Sequence, residues 1–331
     1  MNNETSLNPG MTTSRLPWGW LVASAACVLL VALPWFTGYA TQRLMVEVFT
    51  VFAIAMAWNL LAGFGGLVVV GQHVFVGVGA YTLFYVSNQF GLNPWWTLPA
   101  AALGAGLFAV ITAWPMFRLS GAHFAVGTWV LAELMRIGVL NTDSLGAGGG
   151  MPLDGLAEFS RSARNAGVYW AALGVGILAV LLSRTMLKSR LGLALASVRD
   201  GEDAARACGV PVQRAKLVLW VATASLTGAA GAVAYMNTLQ VSPDASFGLS
   251  WTATAIFIAV LGGIGRLEGP FLGTLVYFAL REWGGTYGAW YFIVLGLLAI
   301  LTMVAAPGGA WSLIQRRWPS FDPFSVRRMT P

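Results

Sequence analysis

Charge is the first scarcity in this chain. Only 10% of its residues are charged, against about 25% in a soluble domain, and that gap excludes an ordinary water-soluble fold. Histidine and cysteine are scarcer still, with two of each. His73 and His123 have no ligand-like spacing, so a metal site has no support. Cys27 and Cys208 fall in a predicted span and a predicted cytoplasmic loop, which argues against a disulfide. No GxxxxGK[ST] phosphate loop occurs, so the chain cannot bind and hydrolyse ATP in the usual way. No nucleophile–base set is visible either, leaving a membrane-embedded enzyme without support and no cofactor to expect. The alternating segments of about ten residues that mark a transmembrane barrel are absent. The opening MNNETSLNPGMTTSR lacks a basic start and a cleavage site, so the first apolar span is expected to be retained.

What is present is apolar and helical in period. Hydrophobic residues make up 57% of the 331-residue chain, and windows of about 20 apolar residues recur along nearly all of it. The expected fold is an all-α polytopic membrane protein of about ten transmembrane or re-entrant helices. Ten candidate spans cover 16–40, 44–64, 67–88, 95–117, 122–141, 168–183, 217–239, 248–263, 268–285 and 288–306. Of these, 67–88 and 268–285 are glycine-rich or short and could be broken; non-helical backbone at membrane depth is tolerated only where protein or a cavity covers it.

The net charge of +6 is topological in meaning and implies no nucleic-acid partner. Arg184, Lys188, Arg190, Arg199, Arg206, Arg214 and Lys216 lie between spans six and seven, and Arg316, Arg317, Arg327 and Arg328 lie in the tail. The positive-inside rule places both segments in the cytoplasm. Ten spans then put the N-terminus inside too, with Arg15, Arg118 and Arg266. Arg43, Arg161, Arg164 and Arg281 fall outside, and Arg136 within a span. The resulting division is a cytoplasmic tail at 1–15, a transmembrane domain at 16–306 and a second cytoplasmic tail at 307–331. The transmembrane domain carries a cytoplasmic loop at 184–216 and an external loop at 142–167. Trp95, Trp96, Trp170, Trp283 and Trp290 sit near predicted outer ends, as an aromatic belt requires.

The densest charge lies in VRDGEDAARACGVPVQRAK, residues 198–216. Asp200 can cap a short helix starting at Gly201, with Asp203 three residues on, and Gly209 suits the left-handed position that ends it. Ala204, Ala205 and Cys208 would form a small, smooth face while Arg206 points elsewhere. A membrane-binding helix would show Leu, Phe or Trp there, so docking on another protein is the better physical reading. A solvated loop obeying the charge bias is the plain alternative.

Within the spans, Glu133 and Arg136 stand three apart on one helix and can pair. A charge at membrane depth costs about 2.5–3.5 kcal/mol, so the pair needs a reason. Either it neutralises itself and locks helix packing, or it meets opposite charges on a solute in transit. Gln72 and His73 follow Gly71 in the glycine-studded span, where an interrupted helix would free backbone groups for a substrate; hydrogen bonding to a neighbouring helix is the plainer role for His73. Asn59 and Thr128 are lesser path candidates, and a solvated position is the cheaper explanation for Glu47. Ala224, Gly228 and Ala232 form a four-residue stripe for close helix packing, within the subunit or against a partner. Arg266 and Glu268 in GGIGRLEG lie on the predicted cytoplasmic side, in a plain turn or at a partner contact.

The acid-Ala-Ala-x-x-x-Gly pattern of Asp203, Ala204, Ala205 and Gly209 resembles the coupling-helix motif of ABC importer permeases, which usually begins with Glu. NLLAGFGG (59–66), GVGAYTLF (77–84), RLSGAHFAVGT (118–128), SRLGLALASVRDGEDAARACGV (189–210), VSPDASFGLSWTA (241–253) and AVLGGIGRLEGPFLGTL (259–275) follow in order. Together they resemble the permease subunits of branched-chain amino-acid ABC importers, the longer of the two permeases in particular, a family that also includes urea and amide permeases. The resemblance covers roughly 44–310. It implies a non-catalytic subunit of a bacterial inner membrane, surrounded by lipid. It also implies a second permease, two cytoplasmic ATPase subunits and a periplasmic or lipid-anchored binding protein as partners. Asp203, Ala204, Ala205, Arg206 and Gly209 would couple to the ATPase. The family usually has a Gln and a Ser after Gly66, where this chain has Leu67 and Val69, and this departure bears on substrate identity. An ion-coupled secondary transporter is the competing class, but only Glu133 offers it an intramembrane carboxylate.

Overall fold

Hydrocarbon offers no hydrogen bonds, so a chain this apolar must close its backbone bonds within itself, and helices do so segment by segment. The computed structural model describes residues 28–156, 159–284, 290–305 and 308–312. Residues 28–36 are helical. Twelve further helices follow: α1 (Tyr39–Asn59), α2 (His73–Phe90), α3 (Pro94–Met116), α4 (Gly121–Leu140), α5 (Arg161–Lys188), α6 (Arg190–Asp200), α7 (Glu202–Ala207), α8 (Val212–Thr238), α9 (Pro243–Ser246), α10 (Ser250–Gly262), α11 (Gly269–Gly284) and α12 (Trp290–Ala305).

The expected all-α architecture holds. Six helical stretches among the described residues are long and apolar enough to cross a membrane: Tyr39–Phe64, Pro94–Met116, Gly121–Leu140, Arg161–Lys188, Val212–Thr238 and Pro243–Gly262. The other expected spans are shorter or broken. The 67–88 span is extended at its start and becomes helical only at His73, while α11 and α12 have 16 residues each. The span expected at 168–183 is the middle of a 28-residue helix. The first expected span is described only from residue 28. Both terminal tails lie outside the described residues, apart from 308–312, and so do Cys27, Arg15 and the four tail arginines.

Polar starts set the helix ends. Asn93 accepts from the Trp95 amide at 3.1 Å with Pro94 at the first helical position, and Ser160 and Ser189 cap α5 and α6 in the same way. The loop expected to be external is tied down by a two-residue antiparallel ladder, β1 (Met151–Pro152) with β2 (Gln240–Val241).

The centre is built from α1 and α8. Every residue of α1 from Thr50 to Asn59 is buried. The small-residue stripe of α8 works within the subunit: Ala224 and Ala232 are fully buried, and Gly228 lies against α2 and α3. A Cβ on Gly79 of α2 would sit 2.1 Å from the Gly228 carbonyl oxygen, and one on Gly228 would sit 2.3 Å from Ala105 of α3. Lower in the same seam, buried Trp220 donates to the Ala109 carbonyl at 3.1 Å and packs edge-on to Phe75, Phe117 and Phe124. The outward faces of α3 and α4 are apolar, with Leu103, Leu107, Ile111, Trp129, Val130 and Leu134 exposed, as lipid contact demands. Of the predicted aromatic belt, Trp96 is exposed, Trp95 lies over Gly167 and Trp170 stacks obliquely on Trp35; the side chains of Trp283 and Trp290 lie outside the described residues.

The seam gives the first prediction. Gly79→Val drives a branched side chain into a facing backbone and should cost about 3 kcal/mol or more, whereas Gly138→Ala, whose Cβ meets nothing within 4 Å, should stay within about 1 kcal/mol of the parent. Thermal melting of the purified protein in detergent measures both.

Candidate coupling loop and translocation path

The charged loop folds as α6, a sharp turn and α7. Gly201, not Asp200, stands at the start of α7, and no side chain caps it. Asp200 instead closes α6 and pairs with Arg199 at 3.2 Å, because that arginine lies beside it. Gly209 does adopt the left-handed conformation, at φ +78°. The small face is arranged differently from expectation. Ala205 is buried, packed with Val198, Val212 and Val210, while Asp203, Ala204, Arg206, Ala207, Cys208 and Gly209 are exposed. Val198 and Val212 supply apolar contact on only one side of a six-residue helix, and Ala205 is the residue that turns to meet it. Glu202 anchors the helix by accepting from Arg206 at 2.7 Å and from Lys216 of α8. Cys208 is a free, exposed thiol.

Behind this loop, three segments meet. At the end of α1 the helix widens into a π-helical turn, Leu60–Phe64, a deformation common at functional sites. The Arg199 guanidinium donates to the Gly63 carbonyl at 3.1 Å. A Cβ on Gly63 would lie 2.4 Å from the Gly265 nitrogen, so the π-turn and the 262–269 turn touch backbone to backbone. Asn59, fully buried, clamps that contact: its Nδ2 donates to the Arg266 carbonyl and its Oδ1 accepts from the Gly265 amide, both at 2.8 Å. Asn59 is thus joined to the 262–269 turn.

The interrupted span is closed by side chains. Thr128 Oγ1 accepts from the amides of Val70 and Gly71 at 3.3 and 3.1 Å, and the Trp58 indole donates to the Val69 carbonyl at 2.8 Å. The His73 amide donates to Thr252 Oγ1 at 3.0 Å, and the His73 ring lies 2.9 Å from the same oxygen. Gln72 donates to Thr227 Oγ1 and to the Ile54 carbonyl at 2.9 and 3.2 Å. All these residues except the half-buried Val70 are buried. The backbone groups freed by the break are therefore largely taken, and Gln72, His73 and Thr128 form one polar seam joining α1, α2, α4, α8 and α10. Its unpartnered polar atom among the described residues is Gln72 Oε1.

Glu133 and Arg136 do pair, through two bonds to the Arg136 Nε at 3.0 and 3.1 Å and one to Nη2 at 2.5 Å. They are not self-contained. Arg136 Nη1 also donates to Asp244 of α9 at 2.6 Å. These side chains are part-exposed, 44% for Glu133, 28% for Arg136 and 74% for Asp244, so the cluster is no buried packing lock. Glu47, expected to be solvated, is instead paired with Arg281 of α11. Sequence reasoning missed Arg199, Asp244, Thr252 and Thr227; the one available hint for Asp244 was its place after Ser242-Pro243, a helix-start signature.

Comparison with known proteins fits this arrangement. The family described as "Branched-chain amino acid transport system / permease component" matches residues 40–305. The high-affinity branched-chain amino acid permease LivM of Escherichia coli (strain K12) is 30% identical over 312 residues, covering 86% of this chain and 73% of the relative. LivM of Salmonella typhimurium is 28% identical over 316 residues, covering 87% and 74%. A probable LivH permease of Methanocaldococcus jannaschii is 21% identical over 263 residues, covering 72% and 82%. No solved structure matches. With four-fifths of its length inside the family match, and the coupling-type loop, the glycine turn and the broken span all within it, the chain belongs to the permease components of branched-chain amino acid transport systems.

Proposed function

We propose that this multi-pass permease forms half of the translocation path of an ATP-driven importer for branched-chain or other hydrophobic amino acids. It stands beside a second permease and above two cytoplasmic ATPase subunits, and receives solute from a binding protein outside the inner membrane. It carries no catalysis of its own. The observation that carries the reading is the exposed small surface of α7, Ala204, Ala207 and Cys208, presented by a helix whose Ala205 and Glu202 are tied back to the bundle. A surface of this size lets a partner groove approach to backbone distance. Its rigidity lets a push on α7 reach the membrane.

The route for that push starts with the tight turn from α7 into α6. Arg199 of α6 holds the Gly63 carbonyl of the π-turn, and Asn59 ties the end of α1 to the 262–269 turn. Movement of the loop is thereby passed to α1, α10 and α11 together. By the distribution of basic residues, this end of the molecule is cytoplasmic and the ladder of β1 and β2 is external.

Two predictions follow from the loop. Ala204→Trp or Ala207→Trp should abolish ATP-driven uptake by the reconstituted importer while the subunit still inserts, and uptake at the parent's rate in both variants would remove the docking reading. Ala205→Trp is the less informative change, because it overfills the protein's own packing. Asn59→Ala removes the partner of the part-buried Gly265 amide and of the Arg266 carbonyl, at a cost of about 1 kcal/mol or more. It should lower the melting temperature and reduce uptake per ATP hydrolysed more than it reduces ATP hydrolysis itself, which parallel uptake and phosphate-release assays resolve.

A further inference from the structure

Arg136 stands 16th in α4, about 22 Å along the helix from its start at 1.5 Å per residue, at the end of the bundle that carries the β1–β2 ladder. Asp244 is the second residue of α9, three residues after the ladder residue Val241, so both lie at the opposite end of α5 from the charged loop. The cluster holds two carboxylates and one guanidinium, a formal charge of −1 if all three are ionised. Charged groups this exposed cannot rest against lipid at low cost, so they face water or protein.

A second observation lies beside them. Tyr81 of α2 is 95% buried, and its hydroxyl has no hydrogen-bond partner among the described residues. Its ring stacks on Phe247, the residue that ends α9, with centroids 5.9 Å apart and planes at 17°. Phe247 follows Asp244 by three residues, about one helical turn, so this stack sets Tyr81 against the short helix that carries the carboxylate. A buried hydroxyl left open is a donor awaiting an acceptor.

We infer that Arg136, Asp244 and Tyr81 form an outer site for the zwitterionic head of an α-amino acid, working by exchange of ion pairs. This inference rests on the transport reading above and names the residues that meet the solute first. Glu133 holds the guanidinium plane through Nε and Nη2, leaving Nη1 as the exchangeable corner. An incoming α-carboxylate displaces Asp244 from Nη1 and accepts from the Tyr81 hydroxyl. The released Asp244 carboxylate then takes the α-ammonium. Two protein ion pairs become three pairs with no net charge moved, because the zwitterion itself is neutral. A solute with only one of the two charges completes only half of the exchange and leaves Asp244 or the guanidinium corner unpaired. Exchange also releases α9 from α4, since Arg136–Asp244 is their charged link; head-group binding and opening of this end are then one event.

The test uses the importer purified with its partner subunits in nanodiscs. Binding of L-leucine, of its α-keto acid analogue and of its decarboxylated amine is followed by saturation-transfer NMR. The parent should bind leucine and discriminate against both analogues. Asp244→Asn should weaken leucine about tenfold or more, the loss expected for one hydrogen bond to a charged group, without weakening the keto acid. Asp244→Glu should restore most of the difference, and Tyr81→Phe should weaken leucine and keto acid alike. A merely structural bridge would lower the melting temperature of Asp244→Asn and leave the ratio of the ligands unchanged. An unchanged ratio, or a parent that treats the three ligands alike or binds none, overturns the inference. Failure of ATP-driven uptake in a parent that does discriminate counts against the transport reading instead, and leaves the outer site standing.

Discussion

The structure depends on one constraint: a backbone amide or carbonyl that leaves its helix at membrane depth must find another partner inside the protein. Two breaks of this kind occur in the described bundle, at 65–72 between α1 and α2 and at 263–268 between α10 and α11. Each is answered by a side chain from elsewhere in the chain. Thr128 and Trp58 serve the first, and Asn59 serves the second with both ends of its amide. The residues that look out of place in an apolar sequence are thus the ones that let the helices stop there.

That constraint reassigns several polar residues. Asn59 and Thr128 stand out as path candidates because hydrophilic groups in a span are costly, and the cost argument holds. In the described structure Asn59 and Thr128 meet that cost with backbone partners. Gln72 and His73 behave alike, each taken by a threonine of a neighbouring helix. Glu133 and Arg136 differ because they remain part-exposed and reach out to a third charge. Burial separates the two classes: the side chains that mend the backbone sit at 0–4% exposure, whereas Glu133, Arg136 and Asp244 are 28–74% exposed.

How much was legible follows from the range of each interaction. Patterns within a few residues survived intact: the helix type and most spans, the Glu133–Arg136 pair at spacing three, the left-handed Gly209, and the α8 stripe whose period of four already demanded close approach. Features decided by distant chain segments did not. Even nearby choices could go either way: Ala205 turned inward between Val198 and Val212, and Asp200 paired with its neighbour Arg199 instead of capping. Glu47 found Arg281, more than 230 residues away, and Arg136 found Asp244 at a separation of 108. A sequence announces that a charge needs a partner, but among several candidates it leaves the choice to the tertiary fold.

The two ends of the bundle carry opposite kinds of connection, and this matters for how they could communicate. At the loop end, α6, the π-turn and the 262–269 turn are joined by hydrogen bonds to backbone, with glycine against glycine and little room to slip. At the ladder end, α4 and α9 are joined by an exposed ion pair, a bond that water, salt or a charged solute can replace. Between them run α1 and α8, buried and close-packed, and interiors at that density shift as units rather than deform smoothly. The joint at the loop end is stiff and the one at the ladder end is replaceable, so the two ends differ in what can loosen them. The asymmetry follows from chemistry alone, because backbone bonds in a dry interior cannot be exchanged and side-chain ion pairs at a wet surface can.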